Sequence, residues 1–226
     1  MTISPKLSPR LRAAAELVRP NAFVSDVGTD HAYLPIALCL EGKIRGGVVS
    51  DINQGPIDRA KDNIYMYGLS DRLSAVRTDG LSGIERFSPE DIFILGMGGE
   101  LIASIIAAAP WTKQRGVRLC LQPMTHPELL RAFLLENGYA IIEERLAEEE
   151  KIYQIIWAEF CGAAERYSDA ELLLGRLNIE RGGEAIRRLA EHNVAILRRK
   201  IQGKTRAGAD CSAELKLIEE IREVIL

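Results

Sequence analysis

The strongest constraint on the fold of this chain is the alternation of short apolar runs with segments of helical spacing before residue 160. Five of the runs are β-branched or continuously apolar, as buried parallel strands are. They are residues 23–27, 47–51, 74–78, 91–95 and 117–121. The segments with helical spacing are residues 32–41, 56–67, 100–108 and 127–137. This rhythm predicts right-handed crossover connections and a doubly wound α/β sheet.

The rhythm changes after residue 138. Residues 139–145 and 152–160 have strand character, and the acidic turn Glu148-Glu149-Glu150 lies between them. This connection is too short for a crossover helix, so the last two strands must be antiparallel. A mostly parallel sheet that ends in an antiparallel strand pair is typical of Rossmann-like S-adenosylmethionine (SAM) methyltransferases, by analogy of fold alone.

The region from residue 163 onward is predicted to be helical throughout. Two apolar stripes have helical spacing, and the glycine-containing segment 203–208 between them predicts a turn. The stripes are Ile186, Ala190, Val194, Leu197 and Ile201, and then Leu215, Ile218, Ile221 and Val224. We therefore expect residues 1–162 to form the sheet domain and residues 163–226 to form a small α-helical hairpin.

Composition limits the class of protein. At 226 residues the chain is long enough for one α/β domain and a small appendage, and its formal charge is −3, so any nucleic-acid surface must be local. The start, residues 1–6, has no apolar signal core, and the small-apolar run 101–110 is too short to span a bilayer. We expect a cytoplasmic protein without a membrane segment. The four cysteines are far apart and the three histidines lack metal-ligand spacing, so no metal site is expected.

The strongest chemical signal is the loop Asp26-Val27-Gly28-Thr29-Asp30-His31, which follows the first strand and opens a helix. A doubly wound sheet binds its nucleotide at this position. Gly28 permits a sharp turn and a close approach of the backbone to a ligand. The loop is neither a dinucleotide fingerprint nor a P-loop, and Asp30 would repel a pyrophosphate, so an NAD site is disfavoured. An acidic loop suits a ligand with a positive centre; the alternative is an ordinary strand-to-helix turn.

Two further carboxylates follow neighbouring strands. Asp51 ends the second strand and can bind ribose hydroxyls, and Asp79 follows the third and can accept an adenine amine. Each residue alone could simply cap a helix. Because the carboxyl ends of parallel strands meet at one edge of the sheet, Asp30, Asp51 and Asp79 together predict a site for a nucleotide-type ligand.

Glycines follow the fourth strand in Gly96-Met97-Gly98-Gly99. They predict a turn that lets a substrate come close to the backbone, with a flexible glycine-rich helix start as the alternative. The fifth strand is expected to end at Gln122-Pro123, because proline lacks the N–H that would continue the ladder.

A basic segment lies in the helical region. Residues 181–206 contain eight basic and two acidic side chains, a local net charge of +6. Pairs of arginines eleven residues apart share a helix face and lie about 16 Å from each other, which could follow a phosphate backbone. The alternative is a solvated helix face. The candidate RNA-binding residues are Arg187, Arg188, Arg198, Arg199 and Lys200, extended by Lys6 and Arg10.

Several segments together resemble the bacterial tRNA (adenine-22-N1)-methyltransferases over about the first 160 residues. They are Leu7-Ser8-Pro9-Arg10-Leu11, the loop 26–35, the glycine run 96–99, Leu121-Gln122-Pro123 and Glu136-Asn137-Gly138-Tyr139. The resemblance implies a Rossmann-like domain that binds SAM and a C-terminal helical domain that helps to hold tRNA. The resemblance implies that Gly28, Asp30, His31, Asp51, Asp79 and Gly96 line the cofactor site. We expect their neighbours Asp26, Ile52, Gly80 and Met97 to belong to it as well.

The implied reaction needs alignment more than a strong base, because N1 of adenine has a free in-plane lone pair. The product is cationic, so acidic or carbonyl groups near the base would stabilise it. The candidate catalytic residues are Asp30, the carbonyl of Gly98 and, as a positioning or proton-relay group, His31. A small-molecule methyltransferase and a non-catalytic protein that binds SAM or RNA are the alternatives. We expect a monomer.

Overall fold

A computed structural model describes residues 4–225, so residues 1–3 of the opening segment and the last residue lie outside the described part. Seven strands form one sheet in the order β3-β2-β1-β4-β5-β7-β6. Strands β1 to β5 are parallel to one another, whereas β7 is antiparallel to both β5 and β6. The predicted mixed sheet is therefore confirmed. The strands are β1 Ala22–Val27, β2 Ile44–Asp51, β3 Leu73–Arg77, β4 Asp91–Gly98, β5 Arg118–Thr125, β6 Tyr139–Glu148 and β7 Ile152–Phe160.

Helices cover both faces of the sheet. Adjacent buried residues of a central strand, such as Ile92 and Phe93, belong to separate hydrophobic clusters because successive side chains point to opposite faces. The first cluster includes residues of α1, α2 and α3, and the second includes residues of α4 and α5. These helices are α1 Pro9–Ala15, α2 Tyr33–Leu40, α3 Gln54–Met66, α4 Gly99–Ala107 and α5 Pro127–Glu136.

The C-terminal region is helical and has its own core. The helices are α6 Asp169–Leu174, α7 Arg176–Arg181, α8 Glu184–Arg206 and α9 Ser212–Ile225. Helices α8 and α9 form the predicted hairpin, and Leu189, Leu197, Ile218 and Ile221 are buried in a third hydrophobic cluster that they share with α6.

The position of the hairpin turn differs from the prediction. Helix α8 continues through Gly203 to Arg206, because one glycine costs a long helix only about 1 kcal/mol. The turning residue is Gly208, which has φ = +66° and donates its N–H to the carbonyl oxygen of Thr205 at 3.1 Å. Left-handed glycine just after the last helical residue is the usual way for a helix to end.

Two strands also run further than predicted. Strand β4 includes Gly96, Met97 and Gly98 with an irregular register, so the glycine run is the end of the strand and not a turn after it. Strand β5 continues past Pro123, which pairs with Met97. The pairing of β5 with β7 stops at Leu121, so at Pro123 the strand has a partner on one side only and the missing N–H is tolerated.

A buried ion pair joins the sheet domain to the helical region. Arg131 of α5 and Glu144 of β6 are fully buried and lie 2.7 Å apart. Arg131 also donates to the carbonyl oxygen of Leu172 at 2.7 Å, and Glu144 accepts the backbone N–H of Leu177 at 3.0 Å. Between these contacts stands Gly175, where a Cβ would lie 2.5 Å from the Glu144 carboxylate. The pair therefore fixes the start of the helical region against the sheet.

We expect Arg131→Met to lower the free energy of unfolding by about 3–5 kcal/mol, because the substitution leaves the Glu144 carboxylate buried without its partner. Chemical denaturation measures this loss. The exposed Arg115→Met serves as the matched control and should change stability by less than about 0.5 kcal/mol. The double variant Arg131→Met/Glu144→Leu should recover most of the loss. If Arg131→Met were as stable as the control Arg115→Met, the role of the pair would be contradicted.

Candidate functional site

The candidate site is a crevice at the carboxyl ends of β1, β2 and β4. It consists of two adjoining cavities of about 290 and 220 Å³, and Gly28 lines both of them. The loop cavity, as we call the first, is lined by Asp26, Asp30, His31 and Gly96 among others. The strand-end cavity is the second. It is lined by Asp51, Ile52, Asp79, Gly80 and Met97 among others. The structure thus brings all ten residues of the expected cofactor site to one crevice.

The backbone of the loop after β1 is held against β2. The amides of Gly28 and Thr29 both donate to the carbonyl oxygen of Ser50, at 2.8 and 3.1 Å. Gly28 has φ = +75°, and a Cβ at this position would lie only 2.0 Å from Cε of Met97. Ala32 is also left-handed, at φ = +58°, and donates its N–H to the Thr29 hydroxyl at 3.0 Å. The loop therefore needs glycine at residue 28 for its conformation and for space.

The acidic groups of the loop cavity differ in their environment. Asp26 is buried, and the loss of solvation raises the pKa of its carboxyl to about 6, although a hydrogen bond with Thr29 opposes the shift. Asp30 is exposed, and its hydrogen bonds from Arg59 lower the pKa of its carboxyl. The His31 Nε2 lies 3.1 Å from the other oxygen of Asp30. At neutral pH the cavity carries negative charge from Asp30, and Asp26 titrates close to that range.

The strand-end cavity combines carboxylates with apolar walls. Asp51 accepts the backbone N–H of Asn53 at 2.7 Å, which fixes its carboxylate at the end of β2. Asp79 is exposed two residues after β3. Ile52 and Leu101 line the same cavity and are 54% and 52% exposed. This arrangement suits a ligand that has hydroxyl and amino groups on a flat, partly apolar body.

Arg10 belongs to this crevice and not to the helical surface on which the sequence analysis placed it. It lines the loop cavity, and its Nη1 donates to Oε1 of the buried Gln122 at 3.0 Å. Its backbone N–H donates to Glu149 at 2.7 Å, and its guanidinium lies 5.6 Å from the centre of the Tyr153 ring. Arg10 reaches this place because α1 packs against β6 and β7. That helix was missed, although Ser8-Pro9 is a helix-start signal.

The glycine run has two different uses. A Cβ at Gly99 would lie 2.3 Å from the carbonyl oxygen of His126, so this glycine permits close packing of the chain itself. Gly96 is exposed in the loop cavity, with φ = +78°, and faces Arg10. Gly98, the last residue of β4, is the N-cap of α4, and a Cβ there would lie 3.2 Å from the Thr125 hydroxyl. Gly98 lies at the edge of the crevice, outside the lining of both cavities.

An aromatic pair at the rim of the loop cavity was not predicted. The rings of His31 and Tyr33 are stacked, with centroids 5.0 Å apart and an angle of 11° between their planes. The Tyr33 residue is 40% exposed and lines the loop cavity. The signal in the sequence was an aromatic residue two positions after the histidine, in the loop that opens α2.

Five of the remaining predicted RNA-binding residues lie on α8, and all five are exposed. Arg187 and Arg198 line the same groove between α8 and α9, as their spacing predicts. Arg188 forms an ion pair with Glu148 at the end of β6. Lys6 is exposed ahead of α1.

Within residues 4–225 the structure shows no group of three or more His, Cys, Asp or Glu side chains placed to hold a metal ion. None of the described helices has the length and apolar character to cross a membrane.

Comparison with known proteins agrees with this geometry. Residues 7–156 match the family model of a methyltransferase domain. The tRNA (adenine(22)-N(1))-methyltransferase of Bacillus subtilis is 37% identical over 173 residues, which cover 76% of this chain and 73% of the relative.

Solved structures extend the similarity into the helical region. The crystal structure of the B. subtilis m1A22 tRNA methyltransferase is 30% identical and has a TM-score of 0.85, covering 98% of this chain and 99% of that one. A Streptococcus pneumoniae protein solved in complex with S-adenosyl-L-methionine is 28% identical, has a TM-score of 0.86, and covers 98% and 100% of the two chains. The fold, the crevice and these similarities lead to one conclusion: this chain belongs to the tRNA (adenine(22)-N(1))-methyltransferase family.

Proposed function

We propose that this protein transfers the methyl group of SAM to N1 of adenine 22 in tRNA. The observation that carries the proposal is the crevice, in which carboxylates from three strand ends and one arginine surround two adjoining cavities. The similarity to the B. subtilis enzyme supports the same reaction.

The residues of the crevice fit SAM group by group. When bound, SAM supplies an electrophilic methyl group on a positively charged sulfur. Asp51 would bind the ribose hydroxyls, and Asp79 would accept the adenine amine. Asp26 would pair with the α-ammonium group, and Arg10 would pair with the α-carboxylate. The missing side chain at Gly28 makes room for the Met97 side chain, whose Cε lies where a Cβ would stand at the junction of the two cavities.

The enzyme has to hold the acceptor base in position and does not have to deprotonate it, because N1 of adenine is nucleophilic without prior loss of a proton. The Tyr33 ring, which stacks on His31 and is partly exposed, would serve as a platform for the target adenine. The ionised Asp30, which bonds to His31, and the Gly98 carbonyl at the edge of the crevice would stabilise the positive charge of the methylated base. In this arrangement His31 is a positioning group.

The helical region supplies the surface for tRNA. Helix α8 presents Arg187, Arg188, Arg198, Arg199 and Lys200 to solvent, and phosphates bind such basic faces. We assign cofactor binding to residues 1–162 and tRNA binding mainly to residues 163–226. Because one chain carries both the cofactor site and the basic surface, we propose that the protein acts as a monomer. A tRNA substrate implies that the reaction takes place in the cytoplasm.

The test uses purified protein, methyl-labelled SAM, and either an unmodified tRNA transcript or free adenosine, with the products analysed by mass spectrometry. We expect 1-methyladenosine in the tRNA and no product from the free nucleoside. Methylation of adenosine alone would indicate a small-molecule enzyme. SAM binding without any methylated product would indicate a binding protein.

The affinity for SAM should depend on the ionisation of Asp26. Because burial raises the pKa of this carboxyl to about 6, it is ionised above that pH and protonated below it. We expect the Kd for SAM to be constant above about pH 7 and to rise by up to about tenfold per pH unit below about pH 6, as the charge that faces the ammonium group is lost. Calorimetric titration measures this dependence.

Two variants separate Asp26 from other titrating groups. Asp26→Asn should bind SAM more weakly and with little change between about pH 5 and 8, whereas the exposed Asp71→Asn should keep the wild-type profile. An unchanged profile in Asp26→Asn would refute the assignment.

Replacement of Tyr33 should affect the acceptor and not the cofactor. Loss of one base-stacking contact is worth about 1–3 kcal/mol, so Tyr33→Ala should lower kcat/KM for tRNA by about 5- to 100-fold. Tyr33→Phe keeps the ring and should retain most of the activity, and the Kd for SAM should change less than about twofold in both variants. A parallel loss of SAM affinity would move Tyr33 to the cofactor site.

A further inference from the structure

A trough lies between α8 and α9 of the helical hairpin, and its volume is about 270 Å³. Apolar residues and arginines line it together. We call it the hairpin trough, its apolar lining the floor and its arginines the rim. The residues of the floor are Val194, Ala195 and Ile221, and those of the rim are Arg187, Arg198 and Arg222.

The rim carries positive charge that the hairpin does not neutralise by ion pairing. Some basic groups of these helices have partners: Arg188 pairs with Glu148, and Lys204 pairs with Glu214 at 2.6 Å. Within residues 4–225 the structure shows no ion pair of the three rim arginines. One carboxylate, that of Glu191, also lines the trough, so the net charge of the lining is +2. The charge of the trough therefore complements an anion.

The floor restricts the kind of anion. A surface that binds only phosphates needs polar donors, whereas the floor of this trough is apolar. A ligand that satisfies both parts has negative groups beside a flat face with little polarity. An unpaired nucleotide has this form, because its base can lie on apolar side chains or under a guanidinium while its phosphate binds arginine.

The helix that carries the trough is anchored to residues that lead to the crevice. Arg188, next to Arg187 in the sequence, pairs with Glu148. The following residue, Glu149, accepts the backbone N–H of Arg10 at 2.7 Å, and Arg10 lines the loop cavity. Two side-chain contacts and two steps along the chain therefore connect Arg187, at one end of the trough, with the methyl-transfer site. The other end, at Arg198, lies about 16 Å further along α8.

We infer that the hairpin trough binds unpaired nucleotides of the same tRNA whose target adenine enters the crevice, with bases on the floor and phosphates on the rim. The inference rests on the proposed function and adds base contacts to the phosphate contacts of α8. It assigns the trough to a single-stranded part of the substrate.

The test compares one floor variant and one rim variant with a matched control. Ala195→Glu puts a carboxylate into the trough at an exposed helical position, and Ala213→Glu makes the same change on the exposed start of α9, outside the trough. We expect Ala195→Glu to raise the Kd for a tRNA transcript at least about tenfold, and Arg198→Gln to reduce the slope of log Kd against log salt by about 0.7–0.9. Ala213→Glu should bind like the wild type, and the melting curves should coincide.

Oligonucleotides distinguish base contacts from phosphate contacts. The probes are a fluorescein-labelled hexauridylate and a hexamer of the same backbone without bases, and anisotropy measures their binding. We expect the wild type to bind hexauridylate at least about fivefold more tightly than the abasic hexamer, and Ala195→Glu to lose this preference. Equal binding of the two probes would overturn the inference and leave a surface for phosphates only.

Two further outcomes separate the inference from the proposed function. If Ala195→Glu binds tRNA like the wild type while Arg198→Gln lowers the salt slope and 1-methyladenosine is still formed, the trough inference fails alone. If no variant, nor the wild type, methylates tRNA, the proposed function fails, and the preference for hexauridylate still decides whether the trough holds bases.

Discussion

The site depends on the parallel pairing of β1 with β2 and β4. This pairing brings the ends of these strands to one edge of the sheet and places Asp51, Gly28 and Gly96 around one crevice. The contact that sets the shape of the crevice is the carbonyl of Ser50, which accepts two amides from the loop after β1. Because that loop is held to β2, the loop cavity and the strand-end cavity meet at Gly28, where the Met97 side chain fills the space that a Cβ would take.

A second constraint connects this crevice to the hairpin. Arg131 and Glu144 are buried together, and both bind backbone groups of the segment 172–177. Helix α5, which carries Arg131, begins directly after β5 beside the glycines that end β4. Strand β6, which carries Glu144, runs on toward Glu149 and Arg10. Helix α5 and strand β6 line neither cavity, but each contacts an element that does. They therefore hold the start of the helical region against the domain that carries the crevice.

Much of this organisation is visible in the sequence. The alternation of apolar runs and helical segments predicted the parallel strands, and the short acidic turn at residues 148–150 predicted the antiparallel pair. Asp51 and Asp79 were found because acids after successive parallel strands must converge. Predictions from local patterns were wrong where tertiary contacts determine the ends of an element. Pro123 lies within β5 because β7 no longer pairs there, and α8 runs through Gly203. The place of Arg10 depends on α1 packing against the last two strands, which no local pattern encodes. The stack of His31 on Tyr33 depends on the left-handed Ala32 between them.

The central claim is that one base of one class of RNA receives the methyl group. The most direct measurement uses two tRNA transcripts that differ only in adenine or guanine at position 22, each incubated with the protein and labelled SAM. The account predicts incorporation that approaches one methyl group per adenine-22 transcript, recovered as 1-methyladenosine, and background incorporation in the guanine-22 transcript. Equal incorporation into both transcripts would contradict it.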